Sequence, residues 1–145
     1  MKKPSPYLTF AGAIPFVICA FLMTVGVTAI PVLGNTEYVL SIYGLVIASF
    51  MAGAHWGNHL SLADDNTWAF KLPVLSNIIA LGLWFGFLGL STVGFIWLLI
   101  LGFVSLLVID YGLYQAQIIS HEYFKVRKYV TLIVVFALIV AVAQL

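Results

Sequence analysis

The chain has 145 residues, of which 63% are hydrophobic and 8% charged, with a formal net charge of +1. Soluble domains carry roughly a quarter charged residues, so this composition excludes a water-exposed globular surface and makes lipid the natural solvent. The near-neutral charge also excludes a basic nucleic-acid surface and an acidic tail.

A bilayer core is crossed by about 20 apolar residues in a helix, and five segments meet that length. The first runs over 7–32, with Pro15 inside it as an expected kink and Pro31 near its end. It is longer than the apolar part of a cleaved signal peptide, so it is expected to stay as a membrane helix. It contains Cys19, the single cysteine, which excludes an internal disulfide and reads as packing. The stretch before Cys19 lacks the small residue that a lipoprotein cleavage site requires.

After a turn over 34–37, the second segment spans 38–62. The most polar stretch of the chain, 63–67, follows it, with Trp68 at its edge as an interfacial aromatic. The third segment spans 72–90 with Pro73 in its first turn. A tight turn over 91–94 leads to the fourth, over 95–117, and a basic connector leads to the fifth, over 128–145. The expected fold is all-α, one transmembrane domain over 1–145, with antiparallel neighbours joined by short turns.

Placing the N-terminus in the cytoplasm puts Lys2, Lys3, Lys71, Lys125, Arg127 and Lys128 on that side and only Glu37 opposite. The C-terminus then lies across the membrane. In this reading the three later basic residues set orientation and meet anionic headgroups. The pair His121-Glu122 sits at the interface.

Ionisable groups inside a span are costly and therefore functional candidates. The second segment carries Ser49, His55, Asn58 and His59, the third Ser76 and Asn77, and the fourth Ser105 and Asp110. At about 1.5 Å per residue, His59, Asn77, His55 and Asp110 lie roughly 5 to 11 Å inside the cytoplasmic ends of their helices. One polar pocket in the cytoplasmic half is expected, formed by His55, Trp56, His59, Asn77 and Asp110.

Ser49, Gly53 and Gly57 recur every four residues and form a small-residue stripe suited to close helix contact, as do Gly82 and Gly86 on the third segment. His55 and His59 also share a face, roughly opposite that stripe.

Several readings of the cluster stay open. His55 and His59 at four-residue spacing could hold zinc, copper or iron, with Asp110 as a further ligand. No general base stands between the two histidines, as a zinc protease would require. A haem would need a ligand on another helix, and only His121 remains. A His–Asp pair in a dry pocket could relay protons. Trp56, Tyr111 and Tyr114 could line a flat ligand such as a quinone. Against all of these, bonds such as His59 to Asp110 or Asn77 could simply hold the bundle together. No catalytic residue is assigned, and no cofactor is named.

The segment from Tyr7 to Phe16, Tyr43-Gly44, the run Ser49 to Gly57, the Leu72-Pro73 helix start, Asp110 and Tyr129 together resemble domain-of-unknown-function family 3429, the relatives of transmembrane protein 69. The most specific part is Ser-Phe-x-x-Gly-x-His-Trp-Gly, here Ser49 to Gly57. The resemblance implies a multi-pass inner-membrane protein with no assigned reaction. It draws attention to His55, Trp56 and Gly57, and leaves His59 outside the element's core. An accessory subunit that packs on a larger membrane complex or on itself is the leading expectation. A small transporter or channel built on His55 and Asp110 is the alternative, weakened by the lack of an inverted repeat.

Overall fold

A computed structural model describes residues 4–145 of the protein. Six helices run in the order α1 (Pro4–Ala11), α2 (Ile14–Thr24), α3 (Thr36–His59), α4 (Thr67–Gly89), α5 (Thr92–Gln115) and α6 (His121–Ala143). A two-stranded hairpin, β1 (Ala29–Ile30) and β2 (Gly34–Asn35), separates α2 from α3. Five spans are long and apolar enough to cross a bilayer: Pro6–Thr24, then α3, α4, α5 and α6. Phe50, Phe70 and Phe136 point outward and are largely exposed, as side chains facing lipid are. The cytoplasmic basic pair expected at Lys2 and Lys3 lies outside the described residues.

The first span is one expected helix divided in two. Pro15 has no N–H to give the carbonyl four residues back, and the helix breaks just before it, at Gly12–Ala13. The Tyr43 hydroxyl donates to the Gly12 carbonyl at 2.9 Å, giving that interrupted backbone a partner. The span also ends earlier than expected, at Thr24 rather than near 32. Gly26 takes φ +85°, Val27 N–H reaches the Leu22 carbonyl and Gly26 N–H that of Met23. This is the Schellman closure of a helix, which a glycine in the left-handed region permits.

Side-chain caps place the other helix starts. Asn35, Asn66, Ser91 and Ser120 each accept a backbone N–H from the first turn of α3, α4, α5 and α6. The Asn66 cap starts α4 at Thr67, not at 72, so Pro73 falls inside the helix rather than in its first turn. The Ser120 cap starts α6 at His121, not at 128, so most of the expected basic connector is helix.

The core runs through the bundle along α3, α5 and α6. On α3 the buried stripe is Leu40, Gly44, Ala48, Ala52 and His55. On α5 it includes Leu99, Phe103, Leu106 and Asp110, and on α6 Arg127, Val130, Val134 and Leu138. These spacings of three and four are those of one helix face. Phe16 of α2 caps the core edge-on to Tyr43 and Phe103, with ring centroids 5.0 and 5.6 Å away.

The close-packing glycines differ from those expected, with one exception. Ser49, Gly53 and Gly57 face outward, and a methyl group on Gly53, Gly57 or Gly82 would meet nothing within 4 Å. Gly86 does pack tightly, against Leu98. Sites missed by the repeat pattern are Gly44, where a Cβ would lie 2.5 Å from Leu99, and Gly112, where it would lie 2.6 Å from the Trp68 ring.

Candidate functional site: a buried histidine, aspartate and arginine

The buried stripes of three helices each carry an ionisable residue, and the three meet. Asp110 of α5 is 1% exposed. His55 of α3 donates from Nε2 to Asp110 Oδ1 at 2.8 Å, and Arg127 of α6 donates from Nε to Asp110 Oδ2 at 2.9 Å. Both ion pairs among the described residues involve this carboxylate. An ionised carboxylate only accepts hydrogen bonds, so the His55 proton must sit on Nε2. The other ring nitrogen is Nδ1. It is the single buried side-chain polar atom without a partner among the described residues.

Arg127 uses one of its five N–H donors on Asp110. Its remaining donors have no acceptor among the described residues. The guanidinium forms the polar wall of a cleft of about 210 Å³ between α1, α2, α3 and α6. Tyr123 and Thr9 are its neighbours there, and the rest of the lining is carbon-rich, including Phe16, Ile47, Met51 and Val130. A larger trough of about 460 Å³ between α2 and α6 has no charged wall.

The sequence-derived residues divide as follows. His55 and Asp110 come together as a pair. His59 does not join them: its Nδ1 turns back to the Trp56 carbonyl on its own helix, and its ring packs on Trp56. His55 and His59 therefore have separate partners. Among the described residues no group of three or more His, Cys, Asp or Glu side chains converges as a metal site. Asn77 is exposed on α4 and stays apart. The expected bond from His59 to Asp110 or Asn77 is not formed: His59 bonds its own helix, and Asp110 bonds His55 and Arg127.

Trp56, Tyr111 and Tyr114 do not line the cleft. Tyr111 and Tyr114 pack on Phe124, and the Tyr114 hydroxyl meets His121 Nδ1 at 3.1 Å, so His121 is engaged at the start of α6. Arg127, read from the sequence as a headgroup contact and orientation signal, is instead buried and is the third member of the site. Its register was available. Ser120 is a helix cap, and Arg127 precedes Val130 and Val134 by three and seven residues on one face.

Comparison with known proteins agrees with the membrane architecture. Residues 1–143 match the model of the family described as "Protein of unknown function (DUF3429)". Transmembrane protein 69 of Mus musculus is 40% identical over 55 residues, covering 38% of this chain and 21% of that protein. The matched stretch thus spans about a fifth of the curated relative's length. No solved structure matches. With five apolar spans and a family match over nearly its whole length, the chain belongs to the DUF3429 family of membrane proteins.

Proposed function

We propose that this protein binds a small amphiphilic molecule within the bilayer, with the His55–Asp110–Arg127 cluster as the polar end of its site. The observation that carries this reading is Arg127. It is almost wholly buried, spends a single donor on Asp110, and walls an otherwise apolar cleft. The terminal nitrogens of Arg127 are not sealed in the core, and the residue lines the cleft, so they remain reachable by a ligand. His55 and Asp110 do not line the cleft themselves and hold Arg127 from behind. Binding pockets have this composition: mostly apolar walls and a few placed polar groups.

The test is to purify the protein in mild detergent and identify co-purifying small molecules by mass spectrometry. A Phe side chain at the outward-facing Ala54 would fill the cleft without touching the ion pair. We expect a compound present in stoichiometric amount with the native protein and depleted in Ala54→Phe. Equal background in both proteins would overturn the reading.

A second reading keeps the protein as an accessory subunit or homo-oligomer. It is favoured by the outward-facing stripe Ser49, Gly53 and Gly57, over which nothing packs. Such stripes let a second helix approach closely in lipid. A monomer by light scattering, with no stoichiometric partner in pull-downs from native membrane, would remove it. For location, the bacterial inner membrane is the reading we keep from the family resemblance, and a cytoplasmic N-terminus is favoured by Lys71, Lys125 and Lys128, which lie near the starts of α4 and α6.

A further inference from the structure

We infer that the cleft takes one anionic phospholipid, with its phosphate on Arg127 and one acyl chain along the groove. The inference rests on the binding reading above and specifies its ligand class.

The polarity of the cleft is graded along its length. On α6 its wall is Tyr123, Arg127, Val130 and Val134 in chain order, polar residues first and apolar ones after. From Arg127 to Val134 the helix rises about 10 Å. That is about a third of the roughly 30 Å hydrocarbon core, within the reach of an acyl chain of one leaflet. α3 runs the other way beside it, and Ala54, Met51 and Ile47 follow the same descent from the His55 level. Phe16 lines the groove from the opposite helix pair, next to the break in the first span.

Asp110 offsets the charge of Arg127, so the guanidinium's unspent donors select an oxyanion and the nearby lysines supply the anionic preference. Asp110 takes only the Arg127 Nε, so the two terminal nitrogens keep their donors for an incoming oxyanion. Planar guanidinium donors suit phosphate oxygens. Lys125 and Lys128 are exposed within one residue or two of Arg127, which places further positive charge at the same level. Leu8 and Phe50 at the rim are strongly exposed, so an acyl chain enters from the side without crossing the core.

The full-length protein would be reconstituted in vesicles of equal parts phosphatidylcholine and phosphatidylglycerol. It would then be extracted gently, and retained lipid counted by native mass spectrometry. One phosphatidylglycerol per chain is expected, retained about fivefold over phosphatidylcholine, the selectivity of roughly one added cationic contact. Arg127→Gln should bring that ratio to near one, and Ala54→Phe should deplete both lipids. Should Arg127→Gln fail to fold, Ala54→Phe decides, since it leaves the ion pair intact. Equal retention of the two lipids by the native protein, both lost in Ala54→Phe, would overturn the anionic ligand and leave the binding reading standing. Phosphatidylglycerol selectivity that survives Ala54→Phe would place the lipid on the exposed lysines and overturn the inference. No retained lipid at all would overturn it as well.

Discussion

At the residue scale, Asp110 holds two cationic or proton-donating partners in a place where water is scarce. Removing its charge leaves Arg127 buried without a counter-ion, so Asp110→Asn should destabilise the protein by about 3–5 kcal/mol. Replacing both ends, as in Asp110→Asn with Arg127→Met, should recover most of that loss, because a well-packed neutral pair avoids desolvation. Thermal unfolding of the three proteins in one detergent measures this, and a double variant as unstable as the single would contradict it. His55→Leu removes one interhelical bond of the kind worth about 0.6 kcal/mol in membrane proteins, so its effect should be far smaller. In the native protein, ¹⁵N spectra of the His55 ring should show the proton on Nε2.

At the element scale, boundaries were decided by caps. Both α5 and α2 close by the same Schellman pattern, but α5 does so with Gln117 at φ 61° where α2 uses Gly26. A side chain in the left-handed region costs about 1 kcal/mol, so Gln117→Gly should raise stability by roughly that amount. Ser120→Ala should lower it by about 1 kcal/mol through loss of the cap on Tyr123 N–H. Denaturation midpoints against the native protein check both signs. Hydropathy made the five spans legible because lipid exposure constrains every turn of a span. It left the ends of α4 and α6 misplaced by five and seven residues, since a cap is one side chain beside an apolar run. The consequence was specific. With α6 begun at 128, Arg127 had no helix face to belong to, and the third member of the site went unseen. The glycine repeats located Gly86 but not the other contacts within the bundle, because spacing records which residues share a face, not which face turns inward.

At the scale of the whole molecule, the chain connectivity places the loop over 60–66 and the loop over 116–120 at one end, and the turn between α4 and α5 at the other. The described basic residues, Lys71, Lys125, Arg127 and Lys128, belong to the helix starts at the first of these ends. In a Cys19→Ala background, Asp65→Cys should react with an impermeant thiol reagent only from the cytoplasmic side, and Val93→Cys only from the opposite side. The reverse pattern would invert the proposed orientation. His55 and Asp110 were placed at a common depth by counting residues from helix ends, because antiparallel spans fix depth even when rotation is unknown. Rotation about each helix axis is what the count lacked, and rotation is what sends Asn77 outward and keeps His55 inside.

The break before Pro15 also gives the bundle an uneven mechanical profile. α1 and α2 together run over 4–24 with the break inside them, while the other four spans are unbroken over 23 or 24 residues. A change in bilayer thickness loads every span, and the interrupted ladder at Gly12–Ala13 is the place where the first span bends at least cost. Gly12 and Phe16 line the cleft beside that point, so the groove and the pliant point of the first span share one stretch of backbone.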